Sequence, residues 1–347
     1  YFYERFGRDL QLWAPSTPSP AATQLSLTEC PPDYTRADEP CTEPSGYWQL
    51  RAPQGAGSAP SALHLQGVWT PVGLPGRRPP TASTIVLQRI GDYQEGADAF
   101  KDPYEQRRER GTRGQSRAGG RMGPVSWQQW TDPRTHVSTP QFTQGASGEV
   151  LARINQQLKA QWQERVSEAL TAVDHDDELR VAFANPRWLA LTYSVGSYHA
   201  GAAHPTNAFT ATTYDLSTGQ PVVWSRWFRF TTPQPETLDI QRKDLLAAQV
   251  LRAMTERVAH AGTTSEVDDE SCAERVLQLY DCRGGRCASP ALTQGQVPSD
   301  WILWPTPQGL AVSPNVYSEA ERGCRGEHVV LPWKQARQAL LRPGSLP

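Results

Sequence analysis

Lysine is nearly absent: Lys101, Lys159, Lys243 and Lys334 are the only four in 347 residues. The basic charge is therefore almost all arginine, which reads as the coding bias of a GC-rich genome rather than as chemistry. Methionine occurs only twice. No apolar run approaches the length of a membrane span, and no signal-peptide pattern is found. A formal net charge of -2 gives no global pull toward nucleic acid. No Cys-x-x-Cys pair occurs, which argues against zinc-knuckle and thioredoxin-like chemistry. No Gly-x-Ser-x-Gly elbow occurs to hold a hydrolase serine on a strained turn.

What the chain does have is proline and tryptophan, at 30 and 12 residues. That mix predicts a loop-rich, β-containing protein, and the length fits two domains. Its six cysteines, Cys30, Cys41, Cys272, Cys282, Cys287 and Cys324, lie mostly in Pro-, Gly- or Arg-rich sequence. An even count in such settings predicts disulfides and an oxidising compartment. Spacing leaves about fifteen pairings open. The preferred set is Cys30–Cys41, Cys282–Cys287 and Cys272–Cys324. The opening Tyr1-Phe2-Tyr3-Glu4-Arg5-Phe6 reads either as an aromatic belt following a removed signal or membrane anchor, or as a simple arm.

Three segments follow from the pattern. Residues 1–45 read as an extended arm, with the Pro-, Thr- and Ser-rich stretch from 14 closed by a disulfide. Residues 46–145 read as a β-rich module, with strands at 46–50, 63–69 and 83–89. Within it, Lys101, Arg107, Arg108, Arg110, Arg113, Arg117 and Arg121 surround Gly119-Gly120. Without interleaved aromatics this stretch reads as a solvated, mobile loop able to dock an acidic partner, not as a nucleic-acid patch. Residues 146–347 read as an α+β domain, an antiparallel sheet with packed helices. A long helix is marked by Val150, Leu151, Ile154, Leu158, Trp162, Val166, Leu170 and Val173. Asp174-His175-Asp176-Asp177 reads as a solvated acidic helix end. Strands are expected at 179–184, 188–195 and 208–214, and helices from Ile240 to Val258 and from Val267 to Tyr280. Ser265 with Asp268 has helix-start spacing, and Glu266, Asp268, Asp269 and Glu270 suit a helix N-terminus. A hairpin over 301–312, a strand at 327–331 and a short helix opened by Pro332 complete the chain.

The loop Tyr198-His199-Ala200-Gly201-Ala202-Ala203-His204-Pro205 is followed by Thr210-Ala211-Thr212-Thr213-Tyr214-Asp215-Leu216-Ser217-Thr218-Gly219 and then by Trp224 to Phe228. Later come Gly309-Leu310-Ala311-Val312-Ser313-Pro314 and Val329-Val330-Leu331-Pro332-Trp333. In this order, over about residues 148–345, the pieces resemble the RsiV-type extracytoplasmic domain. That domain belongs to lysozyme-sensing anti-sigma factors and is also found beside peptidoglycan deacetylase domains. Ala202 stands where the family has a second glycine, and the tyrosine is displaced by one residue. The resemblance implies helices on an antiparallel sheet and binding of a lysozyme-like protein. It does not carry the signalling role, because no sigma-binding segment is visible.

No catalytic residue, metal ligand or cofactor is assigned, and the chain reads as a binding protein rather than an enzyme. His199, His204 and Asp215 lack the further partners that a metal site or a Ser/His/Asp relay needs. The expected contact residues are Tyr198, His199, His204 and Asn207 on one loop, and Arg322 and Arg325 on another. The expected partner is a cell-wall hydrolase or secreted effector met in the periplasm or cell envelope, with the chain as inhibitor, sensor or immunity protein. A peptidoglycan-binding accessory role, with Trp48, Trp69, Trp127 and Trp130 stacking on sugars, is the alternative. A hydrolase centred on His204 is a third reading.

Overall fold

The computed structural model describes residues 10–31, 41–55, 57–59, 62–73, 81–89, 112–199, 202–230, 237–261, 270–288, 301–315 and 317–342. The fold is α+β, with five sheets, all paired antiparallel, and four α-helices among the described residues. None of those helices is long and apolar enough to cross a membrane. The opening aromatic belt lies outside the described residues, as do Lys101, Arg107, Arg108, Arg110, Ser265, Glu266, Asp268 and Asp269.

The first sheet is a meander of β1 (Gln11–Trp13), β2 (Gln24–Cys30), β3 (Gly46–Arg51), β4 (His64–Pro71) and β5 (Ser83–Gln88). On β3, Gly46, Trp48 and Leu50 are buried while Tyr47, Gln49 and Arg51 are exposed, the period-two signature of a half-buried strand. Leu27 and Trp69 flank Trp48 in register. Glu29 is 2 % exposed, and its carboxylate accepts from Trp48 Nε1 at 2.9 Å and from Ser45 Oγ at 2.6 Å. The Cys30–Cys41 disulfide leaves the end of β2. The expected arm is thus corrected: residues 11–13 and 24–30 are strands of the same sheet as β3. None of the hydrophobic clusters among the described residues joins this sheet to the rest of the chain.

The second sheet comprises β6 (Gln115–Met122), β7 (Val125–Thr131) and β8 (Ser138–Gln144). The mobile-loop reading fails here, because Arg117 and Arg121 stand on β6, a paired strand. The two glycines serve packing. A Cβ on Gly119 would lie 1.8 Å from the Trp127 carbonyl oxygen, and one on Gly120 would lie 2.5 Å from the Trp127 ring. Helix α1 (Gly148–Thr171) follows, opened by Ser147, whose side chain accepts from the Val150 N–H. Its buried side includes Ile154, Leu158, Trp162 and Val166. Asn155 brackets Phe142 of β8 with two backbone bonds of 2.8 and 2.9 Å, and Trp162 Nε1 donates to the Val137 carbonyl at 3.0 Å. The expected boundary near 145 therefore runs through a core: Val125 and Phe142 pack with Val150, Leu151 and Ile154.

The central sheet is ordered β12 (Gln220–Pro221), β11 (Thr206–Asp215), β10 (Trp188–Tyr198), β9 (Asp174–Ala184). Leu179, Val181, Leu189, Leu191 and Tyr214 pack with α1. On its other face Ala182, Phe183, Ala190, Phe209 and Ala211 pack with Ile302, Trp304 and Ala311. A β-bulge makes both assignments possible: Val181 opposes Leu191 and Phe183 opposes Ala190, leaving Ala182 as the extra residue. The acidic run at 174–177 is a second correction. It opens β9 rather than capping a helix, because Asp174 to Asp177 pair with Val195 to Tyr198.

Beyond the sheet, the apolar pattern from Ile240 becomes helix only at α2 (Leu246–Ala261), and α3 (Glu270–Leu279) packs beside it. The small strands β13 (Leu238–Asp239), β14 (Cys282–Arg283) and β15 (Arg286–Cys287) form a clip closed by Cys282–Cys287. A final sheet of β16 (Trp301–Pro305), β17 (Gly309–Pro314) and β18 (Val329–Pro332) leads into α4 (Trp333–Ala336), with Pro332 before its first turn. Cys272 of α3 is bonded to Cys324, so all three preferred pairings are present. Three disulfides suit an oxidising environment outside the reducing cytosol.

Candidate functional site

Of the six expected contact residues, Tyr198, His199, His204 and Asn207 lie where β10 and β11 meet in a hairpin at one end of the central sheet, and Arg325 is bonded to Asn207. The closing loop spans 199–205, of which Ala200 and Gly201 lie outside the described residues. Tyr198 ends β10, and its carbonyl accepts from the Val173 N–H at 2.8 Å, fixing the hairpin to the exit of α1. His204 is exposed, with Nδ1 3.1 Å from the Pro205 carbonyl. Asn207 stands opposite Gly196 on β11.

Arg322 and Arg325 come from the 3-10 segment Glu319–Cys324 and the residue after it. This segment is strapped down from three sides. Ser318 and Glu321 form a capping box, and Glu321 also pairs with Arg275 of α3. The Ser318 N–H, and next its hydroxyl, hold the Glu321 carboxyl below its ordinary range. Cys324 is bonded to Cys272 of α3. Finally, the Arg325 guanidinium donates to the Asn207 carbonyl. Gly326 turns the chain at φ +92° against Phe209, a conformation that a side chain would strain. Phe209 meets Trp304 in a tilted contact with ring centres 5.4 Å apart, and Trp304 meets His328 likewise at 4.8 Å. Asn207 and Arg325, far apart in sequence, are thus joined in one surface.

His199 belongs to a different layer. Its Nε2 lies 3.2 Å from Ser197 Oγ, which lies 3.4 Å from His175 Nδ1. His175 Nε2 is 3.9 Å from Asp177 Oδ2. Asp177 accepts from Arg165 of α1 at 2.9 Å, and the second guanidinium nitrogen donates to the Ser138 carbonyl at 2.7 Å. The same guanidinium lies 5.1 Å from the centre of the Tyr193 ring. Burial, and next the Asp177 charge, raise the Tyr193 phenol well above its usual range. All these residues share the face of β9 and β10 that looks at α1, where His175, Asp177, Tyr193 and Ser197 alternate inward.

The order carboxylate, imidazole, hydroxyl has the outline of a hydrolase relay. The geometry does not support that chemistry. The carboxylate–imidazole distance exceeds a hydrogen bond, and Ser197 is 3 % exposed, out of reach of a substrate. The network instead joins α1, β8 and the base of the hairpin. Sequence reasoning missed Arg165, His175, Asp177 and Ser197. Only Arg165 left a signal, as the one charge in the apolar stripe between Trp162 and Val166. The pairing of His175 with Ser197 is a matter of strand register, which the sequence does not display.

Among the described residues, no group of three or more His, Cys, Asp or Glu is placed to hold a metal ion. Of the four tryptophans considered for sugar stacking, Trp48 is buried, whereas Trp69, Trp127 and Trp130 are half-buried, Trp69 against Gly46, Trp127 edge-on to Phe142 and Trp130 edge-on to Trp162. No family model and no curated protein matches this chain.

Proposed function

We propose that this is an exported bacterial binding protein of the cell envelope. Its expected partner is a cell-wall-active protein, a lysozyme-like hydrolase or a secreted effector, which it engages as inhibitor, sensor or immunity protein. The observation that carries the reading is the fastening of Arg325 to Asn207 and of Cys324 to Cys272. These links give the start of β11 and the arginine-bearing segment a fixed relative position before any partner arrives, which lowers the ordering cost of binding. The surface carries arginine, histidine and tyrosine, residue types suited to a protein interface. The resemblance of residues 148–345 to the RsiV-type domain supports the same partner class.

The test is complex formation between the full chain and a panel of purified muralytic enzymes, followed by size exclusion and calorimetry. A stoichiometric complex weakened about tenfold by Arg325→Ala is expected, the loss of one interface arginine. If no muralytic enzyme binds, the reading fails. Sedimentation with purified sacculi instead would favour the glycan-binding role, and peptidoglycan cleavage lost in His204→Ala would favour an enzyme.

A further inference from the structure

The outer face of the first sheet carries a shallow groove of about 380 Å3. Register builds it from two cross-strand rows. Gln24, Arg51 and Gln66 stand in one, and Gln49, Val68 and Thr84 in the next. Neighbouring strands lie about 4.8 Å apart, so amide side chains from β2, β3 and β4 follow one another along the groove. Ser26 Oγ donates to Gln49 Oε1 at 3.0 Å, which steadies the middle amide. Tyr47 stands on the same face of β3, two residues from Gln49 and about 7 Å along the strand.

A polar outer face is the ordinary state of an antiparallel sheet with one side packed. Two features of this face depart from the ordinary. The chain is 20 % charged, yet the outward positions of β2 to β5 hold no carboxylate and no lysine, and only Arg51 and His64 can carry charge there. Amides and hydroxyls take the place of charges. In addition, Tyr47, Val68 and Val86 are 47 %, 40 % and 64 % exposed and follow one diagonal across β3, β4 and β5. Large apolar side chains are thus presented beside neutral polar ones, with few charges to keep another surface away.

An uncharged sugar chain matches this pattern. Each pyranose ring has C–H faces that lie on aromatic or aliphatic side chains, and a rim of hydroxyls that both donate and accept. A primary amide also does both, in one plane. A polyanion finds a single guanidinium at the groove, and a cation finds no carboxylate on the outward positions. The rows run straight across the strands, which suits an extended chain rather than a coiled one.

We propose that the outer face of the first sheet binds an uncharged, extended β-1,4-linked glycan. Its hydroxyls meet Gln24, Gln49 and Gln66, and one ring lies on Tyr47. The face belongs to a different sheet from the hairpin loop, and its ligand binds whether or not a muralytic enzyme is engaged there.

Isothermal titration calorimetry on the full chain tests it with three soluble probes: the β-1,4 hexamer of N-acetylglucosamine, cellohexaose and hexagalacturonate. At least one of the two neutral hexamers should bind saturably, with a dissociation constant of roughly 10 µM to 1 mM that added salt leaves unchanged. Preference for the first marks an amino-sugar chain of the cell-wall kind, and preference for the second a plain glucan. The pair Gln49→Ala and Gln66→Ala should lose about tenfold or more, and so should Tyr47→Ala, each with an unchanged thermal midpoint. Absence of saturable binding by both neutral hexamers would overturn the proposal. So would tighter binding of hexagalacturonate, which marks Arg51 as an anion site, or full affinity in both variants, which places the sugar elsewhere. Self-association that is lost in Tyr47→Ala, with neither neutral hexamer bound, would assign the face to a second copy of this chain instead.

Discussion

Breaking the Arg165–Asp177 pair will cost more than replacing it. The two side chains are 9 % and 3 % exposed, and the guanidinium is held by Asp177 and the Ser138 carbonyl and lies over the Tyr193 ring. Asp177→Leu keeps the bulk and removes the counter-charge, leaving a buried cation. Arg165→Met keeps the length and leaves a buried carboxylate. Either change strands a charge whose desolvation was offset by its partner, at a cost of about 3–5 kcal/mol. The combination Arg165→Met with Asp177→Leu strands no charge and leaves only neutral polar partners behind, the Ser138 carbonyl among them. The double variant should therefore be more stable than either single one, with a coupling energy of roughly 2 kcal/mol or more. Urea unfolding followed by tryptophan emission reads this directly, since Trp162 sits one helical turn before Arg165. If each single variant loses less than about 1 kcal/mol, or if the double loss equals the sum of the singles, the pair is not the buried, coupled unit described here.

Alkali should destabilise the fold through its buried phenols. Burial pushes Tyr214 up to about 12 from an ordinary value of 10.0. The unfolded chain therefore loses this proton first. Stability that is complete below pH 10 is lost as pH rises toward 12, by roughly 2–3 kcal/mol, and Tyr214→Phe should flatten that part of the pH–stability curve. Removing the Cys272–Cys324 bond, which closes a 52-residue separation, should cost about 2–4 kcal/mol. Hydrogen exchange should then rise at 318–326 and stay unchanged in β1–β5; unchanged protection at 318–326 would show that the disulfide does not hold the segment. In Gly309→Ala the new Cβ would lie 2.0 Å from the Leu331 carbonyl oxygen, so β17 and β18 must separate. A loss of about 1–3 kcal/mol in thermal denaturation is expected, and a neutral result would mean the strands part without cost.

Alternation made the strands at 46–51, 64–71 and 83–88 legible, and a three-to-four residue stripe made α1 legible. These are periods that burial writes into sequence. Two segments hid. Gln115–Met122 is a strand whose arginines face outward and whose glycines make room for Trp127, so its composition mimics a loop. Asp174–Asp177 is polar on both faces, because its inward positions hold a buried ion-pair partner and an imidazole rather than apolar groups. The contact surface was half visible. The loops bearing Asn207 and Arg325 were singled out separately, but their junction depends on how β11 meets the segment after α3. The preferred disulfides came from spacing and setting. Spacing favours short loops such as 282–287, whereas the long Cys272–Cys324 link needed the helix to pass the 3-10 segment.

The extra residue at Ala182 has a consequence for how this chain tolerates change. Val181 and Ala184 look toward α1, while Ala182 and Phe183 both look toward Trp304. The strand thus spends its one large ring on one layer and a small methyl on the other. If Ala182 were paired instead of bulging out, it would oppose Ala190 and Phe183 would oppose Leu189, driving a phenyl ring into the space of an alanine against α1. What matters at this point is that one residue stands outside the pairing. Two cores on opposite sides of one sheet are therefore kept in step by a single unpaired position.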